Sequence, residues 1–317
     1  MKNFFVFIRK IIPENGCCFV FIILLLCLSS STAAKEENSE KLKENYFLSQ
    51  SLKLGKKPVQ SAIFSPNDQQ VVILSGSSSL EIFRIQNGKR LRVISSYEHK
   101  AISLVLHAGG KLAVTGGLDD TVRIWNTDHS TAQAVMRGHL SAVSVLALNT
   151  GGEILASGSL DGTVILWNMK EHELLKSTKV IGKSSIKSLA FHPNGRILAI
   201  GGEDGSLQFR SIPEMKLITT LSGHKNSIND LEFNPSGDLF VSGSEDGEVI
   251  IWDWKVKKQR SKINFEDAVS TISINPKLAE IVVGTAGGRL ETWSLAKGTL
   301  LHQITESGPL ISITGYD

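Results

Sequence analysis

The sequence predicts an all-β domain built from six copies of one four-stranded unit. Three observations predict it: a fixed spacing of aromatic residues, a turn at the same place in each copy, and strand-like alternation around that turn. The segments that carry the aromatics are SSSLEIFR, LDDTVRIWN, LDGTVILWN, EDGSLQFRS, EDGEVIIWD and AGGRLETWS. Their aromatics are Phe83, Trp125, Trp167, Phe209, Trp252 and Trp293, with steps of 42, 42, 42, 43 and 41 residues. A period held over six copies marks a repeat architecture.

The elements of each copy follow in order. In the fifth, the alternation of SINDLEFNPSGD (227–238) predicts a first strand and a tight bend. LFVSGS is a second strand, and EDG is a turn in which Gly247 takes the positive φ that a hairpin demands. EVIIWD is a third strand, followed by a looser fourth, KKQRSKINF. One such sheet cannot bury both faces, so sheets stacked around an axis bury them against each other. Four-stranded units at this period make a β-propeller. NYFLSQSLKLG (45–55) reads as an outer strand ahead of the first copy, and PLISITGYD (309–317) as a lone inner strand after the sixth. The expectation is six complete blades with both ends helping closure. The alternative is a partial seventh blade assembled from the two termini.

The pairs Gly138-His139 and Gly223-His224, the turns Asp161-Gly162, Asp204-Gly205 and Asp246-Gly247, and the closing pairs Trp125-Asn126, Trp167-Asn168 and Trp252-Asp253 closely resemble the WD40-repeat family. The resemblance runs from about residue 47 to the end. It implies a hydrogen-bonded chain of His, turn Asp, Ser or Thr, and Trp in each regular blade. By resemblance this falls on His99, Thr115, Asp119 and Trp125, on His139, Ser157, Asp161 and Trp167, and on His224, Ser242, Asp246 and Trp252. The chemistry suits the role: a neutral imidazole has one donor and one acceptor, and an indole N–H only donates. Glu98 replaces the usual Gly in the second copy, Lys183 and Phe209 replace His and Trp in the fourth, and Gly287 replaces Asp in the sixth.

Serine, histidine and aspartate are also the parts of a hydrolase triad. A triad is recognised by geometry and roles, however, and a constellation present three times is not one active site. Gly-x-Ser-x-Gly occurs nowhere. The histidines lack metal-ligand spacing, and no phosphate-cradling Gly-rich loop is present. No cofactor or metal is expected. Trp254 is expected to cover a blade edge.

WD40 domains are mostly platforms for other proteins, so the resemblance implies a non-catalytic scaffold that binds a protein or peptide on one face. The residue before each turn Asp faces outward there: Leu118, Leu160, Glu203 and Glu245. Ser144, Lys187 and Asn229, on the way into the first strands, would flank them. An apolar spot beside an acidic one suits a peptide with a hydrophobic and a basic side chain. The rival reading is an enzyme or small-ligand module using the central channel, where the first strands offer Asp230 and Glu232.

The first 34 residues read as a secretory signal: Lys2, Arg9 and Lys10 first, an apolar run from Cys17 to Leu28, then Thr32-Ala33-Ala34 before a cleavage point. A retained membrane anchor is the alternative, and lipid attachment at Cys27 a third. Residues 35–46 are a polar linker and 47–317 the propeller. All three cysteines lie in residues 1–27, which suits an oxidising compartment. The expected location is outside the cytoplasm: a periplasm, a thylakoid lumen, or a membrane with the domain facing outward. Net charge is +3, and no basic block is dense enough to displace counterions from a nucleic acid; KVKKQR (255–260) is the richest stretch. Asn-x-Ser/Thr sites are absent, and the chain resembles exported bacterial members of the family, cyanobacterial ones among them.

Overall fold

The structure is a computed structural model. It describes residues 59–305 apart from 66–68, 76–78, 96–98, 108, 130, 181–183 and 276–278, together with four strands outside that range. Those strands are β1 (Asn3–Ile11), β2 (Phe19–Cys27), β3 (Gln50–Lys53) and, at the other end, β28 (Leu310–Gly315). The expected linker at 35–46, the cleavage point at Ala34, and Lys183 lie outside the described residues.

The repeats form six four-stranded antiparallel blades. The first contains β4 (Val59–Phe64), β5 (Gln70–Ser75), β6 (Ser79–Arg84) and β7 (Arg90–Ser95). The second contains β8 (Ala101–Leu106), β9 (Leu112–Gly117), β10 (Thr121–Asn126) and β11 (Ala132–Arg137). The third contains β12 (Val143–Leu148), β13 (Ile154–Ser159), β14 (Thr163–Asn168) and β15 (Glu173–Lys179). The fourth contains β16 (Ile186–Phe191), β17 (Ile197–Gly202), β18 (Leu207–Ser211) and β19 (Leu217–Leu221). The fifth contains β20 (Ile228–Phe233), β21 (Leu239–Ser244), β22 (Glu248–Asp253) and β23 (Lys258–Asn264). The sixth contains β24 (Val269–Asn275), β25 (Glu280–Thr285), β26 (Arg289–Ser294) and β27 (Leu300–Thr305). The inner strands β4, β8, β12, β16, β20 and β24 lie side by side in that order. Strand β28 sits between β24 and β4 and heads a further sheet of order β28-β1-β2-β3. Among the described residues no helix is long and apolar enough to cross a membrane.

The core lies between blades. Val114, Val122, Ile124 and Met136 of the second blade pack with Val143, Leu146, Leu155 and Trp167 of the third. The same arrangement recurs between the fourth and fifth, where Phe209, Phe233, Phe240 and Trp252 meet. Trp254 belongs to this cluster, with its ring centroid 4.5 Å from that of Phe209. A recurrent glycine makes the close approach possible. A methyl group on Gly158 would meet Ile186 Cγ2 at 2.5 Å, and one on Gly116 would meet Val143 Cγ1 at 2.5 Å. The first residues of β12, β16, β20 and β24 thus each fit into a gap that the preceding blade leaves by omitting a side chain.

The third strands also correct one alignment. Every third strand shifts register against its fourth, just before Phe83, Trp125, Trp167, Trp252 and Trp293, and in the fourth blade just before Arg210. Arg210, not Phe209, therefore stands at the tryptophan position of the fourth blade. Successive strand residues face opposite ways, so Phe209 points instead into the fifth blade.

Candidate functional site

The three regular blades each hold a buried polar chain. In the second, Trp125 Nε1–H donates to Thr115 Oγ1 at 2.8 Å. His99 Nε2 lies 2.8 Å from the same hydroxyl, and His99 Nδ1 lies 2.8 Å from Asp119 Oδ1. In the fifth, Trp252 donates to Ser242 at 2.9 Å, His224 Nε2 is 2.7 Å from that hydroxyl, and His224 Nδ1 is 3.2 Å from Asp246 Oδ2. In the third, Trp167 donates to Ser157 at 2.8 Å and His139 Nε2 is 2.7 Å from Ser157. Here Asp161 Oδ2 stands 3.8 Å from His139 Nδ1, and Thr163 bridges the gap, 2.9 Å from His139 Nδ1 and donating to Asp161 Oδ1 at 2.6 Å. The third blade therefore differs from the expected direct His–Asp contact by one inserted hydroxyl.

The end groups and the burial of the imidazoles together assign the protons. Carboxylate can only accept, so the proton of each imidazole lies on Nδ1, and because burial disfavours the charged ring, Nε2 is left to accept from the Ser or Thr hydroxyl. Each imidazole is then neutral, with its proton on Nδ1. Burial pushes all three imidazoles below their ordinary pKa, against the opposing pull of Asp119, Asp161 and Asp246. Burial pushes those carboxyls up, but the hydrogen bonds they accept outweigh it and leave all three below the usual range. For Asp161 the donors are Thr163 and the Leu140 backbone.

Two of the irregular blades change both partners together, and the sixth gives its tryptophan another acceptor. Register places Ile73, Ile200 and Val283 at the hydroxyl position of the first, fourth and sixth blades. The first has Phe83 and the fourth Arg210 at the tryptophan position, so no indole N–H is stranded. The sixth keeps Trp293, whose Nε1–H donates to Glu291 at 2.9 Å. Gly287 is compensated too: the Asp267 carboxylate occupies the space that an aspartate side chain at 287 would take. Arg210 donates to the Met215 carbonyl at 2.9 Å and to Gln208 at 3.0 Å, and burial pushes its pKa down.

The channel carboxylates are engaged by backbone. Asp230 Oδ2 accepts from Ile272 N at 2.9 Å and from Thr271 Oγ1 at 3.1 Å. Glu232 Oε2 accepts from Ile274 N at 2.9 Å. Both side chains keep some solvent contact, yet protein surrounds Asp230, and this burial pushes its carboxyl up to about 6. His224, Asp246 and Glu248 place ligand atoms within 4.8 Å of one another. Of these, His224 Nδ1 carries the proton directed at Asp246, and Glu248 is paired with Lys262 at 2.6 Å. A cation there would have to displace both.

The expected partner-binding residues divide into two groups. Ser144 donates to the Ile186 carbonyl at 2.6 Å, and Asn229 Nδ2 donates to the Val269 carbonyl at 2.9 Å, so both tie neighbouring blades. Lys187 pairs with Glu203 at 3.2 Å. Leu118, Leu160 and Glu245 are on the surface, with the two leucines 50% and 39% exposed. Sequence reasoning missed Leu140, the most exposed large apolar residue described, at 87%. Its backbone N–H donates to Asp161 at 2.8 Å, while Leu160 N–H reaches the Ala142 carbonyl at 3.0 Å. Leu140 and Leu160 therefore flank one another at the same end of the third blade. The sibling residues Lys100 and Lys225, each following a network histidine, were the available signal.

Comparison with known families agrees with this geometry. Residues 88–126, 130–168 and 215–253 match the family described as WD domain, G-beta repeat. Residues 181–229 are similar to the anaphase-promoting complex subunit 4 WD40 domain. The chain carries WD40 repeats on a β-propeller, and such domains are generally non-catalytic and bind proteins or peptides.

Proposed function

We propose that this chain is a non-catalytic interaction scaffold acting outside the cytoplasm, and that a protein or peptide partner docks on the end of the propeller carrying Leu118, Leu140 and Leu160. The observation that carries the reading is this group of exposed leucines on the turns and connecting loop of two adjacent blades. Isolated exposed leucines are ordinary, but grouped ones define a patch from which a partner can displace water. Glu245 is the open carboxylate at the corresponding turn of the fifth blade, since Glu203 is already paired with Lys187. The complementary peptide therefore presents a broad apolar surface with one basic side chain at its edge. Export is supported by the basic, apolar and small-residue order of residues 1–34. In the rival enzyme reading, Asp230 and Glu232 would have to act while accepting backbone N–H groups.

The test replaces each leucine with the residue its siblings carry: Leu118→Glu, Leu140→Lys and Leu160→Glu in one chain. Tagged wild type and triple variant are recovered from fractionated cells after cross-linking. The expected result is a partner captured by the wild type, lost by the variant, at equal melting temperature. Full capture by the variant refutes the docking face, and a cytoplasmic location refutes export.

A further inference from the structure

We infer that the propeller docks on an anionic lipid bilayer through the outer edges of its third, fourth and fifth blades, at the end opposite Leu118, Leu140 and Leu160. Each third strand starts at the turn that carries the aspartate and runs to the far end of its blade, as β14 does from Thr163 to Asn168. The turns that follow, ahead of β15, β19 and β23, therefore lie away from the leucine patch. They set exposed apolar side chains beside lysines. Leu174 and Leu175 precede Lys176 in β15, and Leu217 and Ile218 follow Lys216 into β19. Val256 stands between Lys255 and Lys257 ahead of β23. These five apolar residues are 40–60% exposed, and Val256 is second only to Leu140 among the large apolar residues described.

Three observations select the occupant. Leu175 and Ile218 are the residues skipped where the fourth strands shift register, between Leu174 and Lys176 and between Leu217 and Thr219. A bulge disrupts the ladder and twists an edge away from strand addition, so this edge offers side chains rather than backbone. Charge is the second observation. Residues 254–260, WKVKKQR, hold four positive charges and no negative one, against +3 for the whole chain. The third is strain. Lys257 has φ 56°, at the turn position that Gly88 and Gly298 hold in the first and sixth blades. A side chain there costs stability. His172 and Met215 occupy the same position in the third and fourth blades and are more buried, whereas Lys257 is exposed. The strained turn thus holds a cation at the surface, with its ammonium 5.7 Å from the centre of the Trp254 ring. Projecting tips that repeat one apolar and basic pairing along three adjacent blades suit a flat, laterally uniform partner. Lysines meet anionic headgroups there, while leucine and valine reach the acyl boundary.

The experiment uses the full chain with Cys17, Cys18 and Cys27 changed to serine and one environment-sensitive dye attached through Val256→Cys. A second chain carries the dye through Leu118→Cys, at the opposite end. Vesicles of phosphatidylglycerol and phosphatidylcholine should shift the emission at 256 to the blue and leave that at 118 unchanged. Pure phosphatidylcholine should shift neither. The dye reads this face directly, so an apolar N-terminus inserting into both kinds of vesicle does not mimic the result. Each lysine removed should weaken binding about fivefold, so Lys255→Ala, Lys257→Ala and Lys258→Ala together should raise the lipid concentration at half-effect about 100-fold at a near-wild-type melting temperature. Equal shifts with both vesicles, equal shifts at 256 and 118, no shift with either vesicle, or a response that survives the lysine substitutions overturns the proposal. A shift without vesicles overturns it too: one produced by glycerol phosphate shows a free anion as the ligand, and one produced by raising the protein concentration shows a second copy.

Discussion

Replacing Thr115 by valine tests the buried polar chain at its middle link. Valine keeps the shape of threonine and deletes only the hydroxyl. Thr115 is fully buried, accepts from Trp125 Nε1–H at 2.8 Å and serves His99 Nε2 at 2.8 Å. The substitution strands one donor and one acceptor, each at a cost of about 1–3 kcal/mol. The expected loss is therefore about 2–6 kcal/mol. Thr115→Ser is the control: it keeps the hydroxyl, removes one methyl, and should cost about 1 kcal/mol. Serine also stands at this position in the third and fifth blades, as Ser157 and Ser242, so the control is compatible with the fold. Urea denaturation followed by tryptophan fluorescence gives both values. Faster hydrogen exchange at the Trp125 indole, seen by NMR, would locate the loss. If valine proves as stable as serine, the hydroxyl is not a required link and the argument fails.

Three further outcomes follow from the same geometry. Ser157→Ala in the third blade removes the hydroxyl shared by Trp167 and His139, and should cause a similar loss of about 2–6 kcal/mol in the same denaturation assay. Gly158→Ala places a methyl against Ile186, and should cost about 1–3 kcal/mol by overpacking, read as a lower melting temperature; a neutral result would show that the blades can separate freely. Stability should fall as pH is lowered from 7 towards 5. The three network histidines have folded pKa values below the unfolded 6.5, so the unfolded chain binds more protons as pH drops through 6.5, with a slope of up to about 4 kcal/mol per pH unit for three groups. Asp230 opposes this below pH 6, since its raised value makes the folded state bind the extra proton there. A flat or rising stability between pH 6.5 and 5 in urea titrations would contradict the neutral, buried imidazoles.

The repeat and its strands were legible because the hairpin turn and the 42-residue period are local in sequence. The fourth blade was misread because an aromatic served as the marker. Counting from the turn avoids the slip: Trp167 lies six residues after Asp161, Trp252 six after Asp246, and Arg210 six after Asp204. A one-residue shift matters in a strand because it reverses the face. Two other features could not be read along the chain. Asp267, from a different segment, fills the space beside Gly287 in the sixth turn, and Glu291 captures Trp293 from two residues away on the same strand. Both are placements in space with no matching residue in the alignment of repeats. Leu140 was legible in principle, because its siblings Lys100 and Lys225 mark that position as exposed.

Where the copies agree and where they differ separates support from recognition. The His–hydroxyl–Trp chain occurs three times with nearly the same distances, and in the other blades its parts are lost or replaced together. A buried network requires that each retained donor keep an acceptor, as Trp293 does with Glu291, since half a network is costlier than none. A partner, by contrast, reads differences around the ring. The position before the turn Asp is leucine in the second and third blades and glutamate in the fourth and fifth, although the backbone beneath is the same. The position after the histidine is leucine in the third blade and lysine in the second and fifth. No packing demand explains these choices, because the side chains face solvent. They give one end of the propeller an apolar side and a charged side, which an otherwise sixfold-like scaffold needs if a partner is to bind in a single orientation.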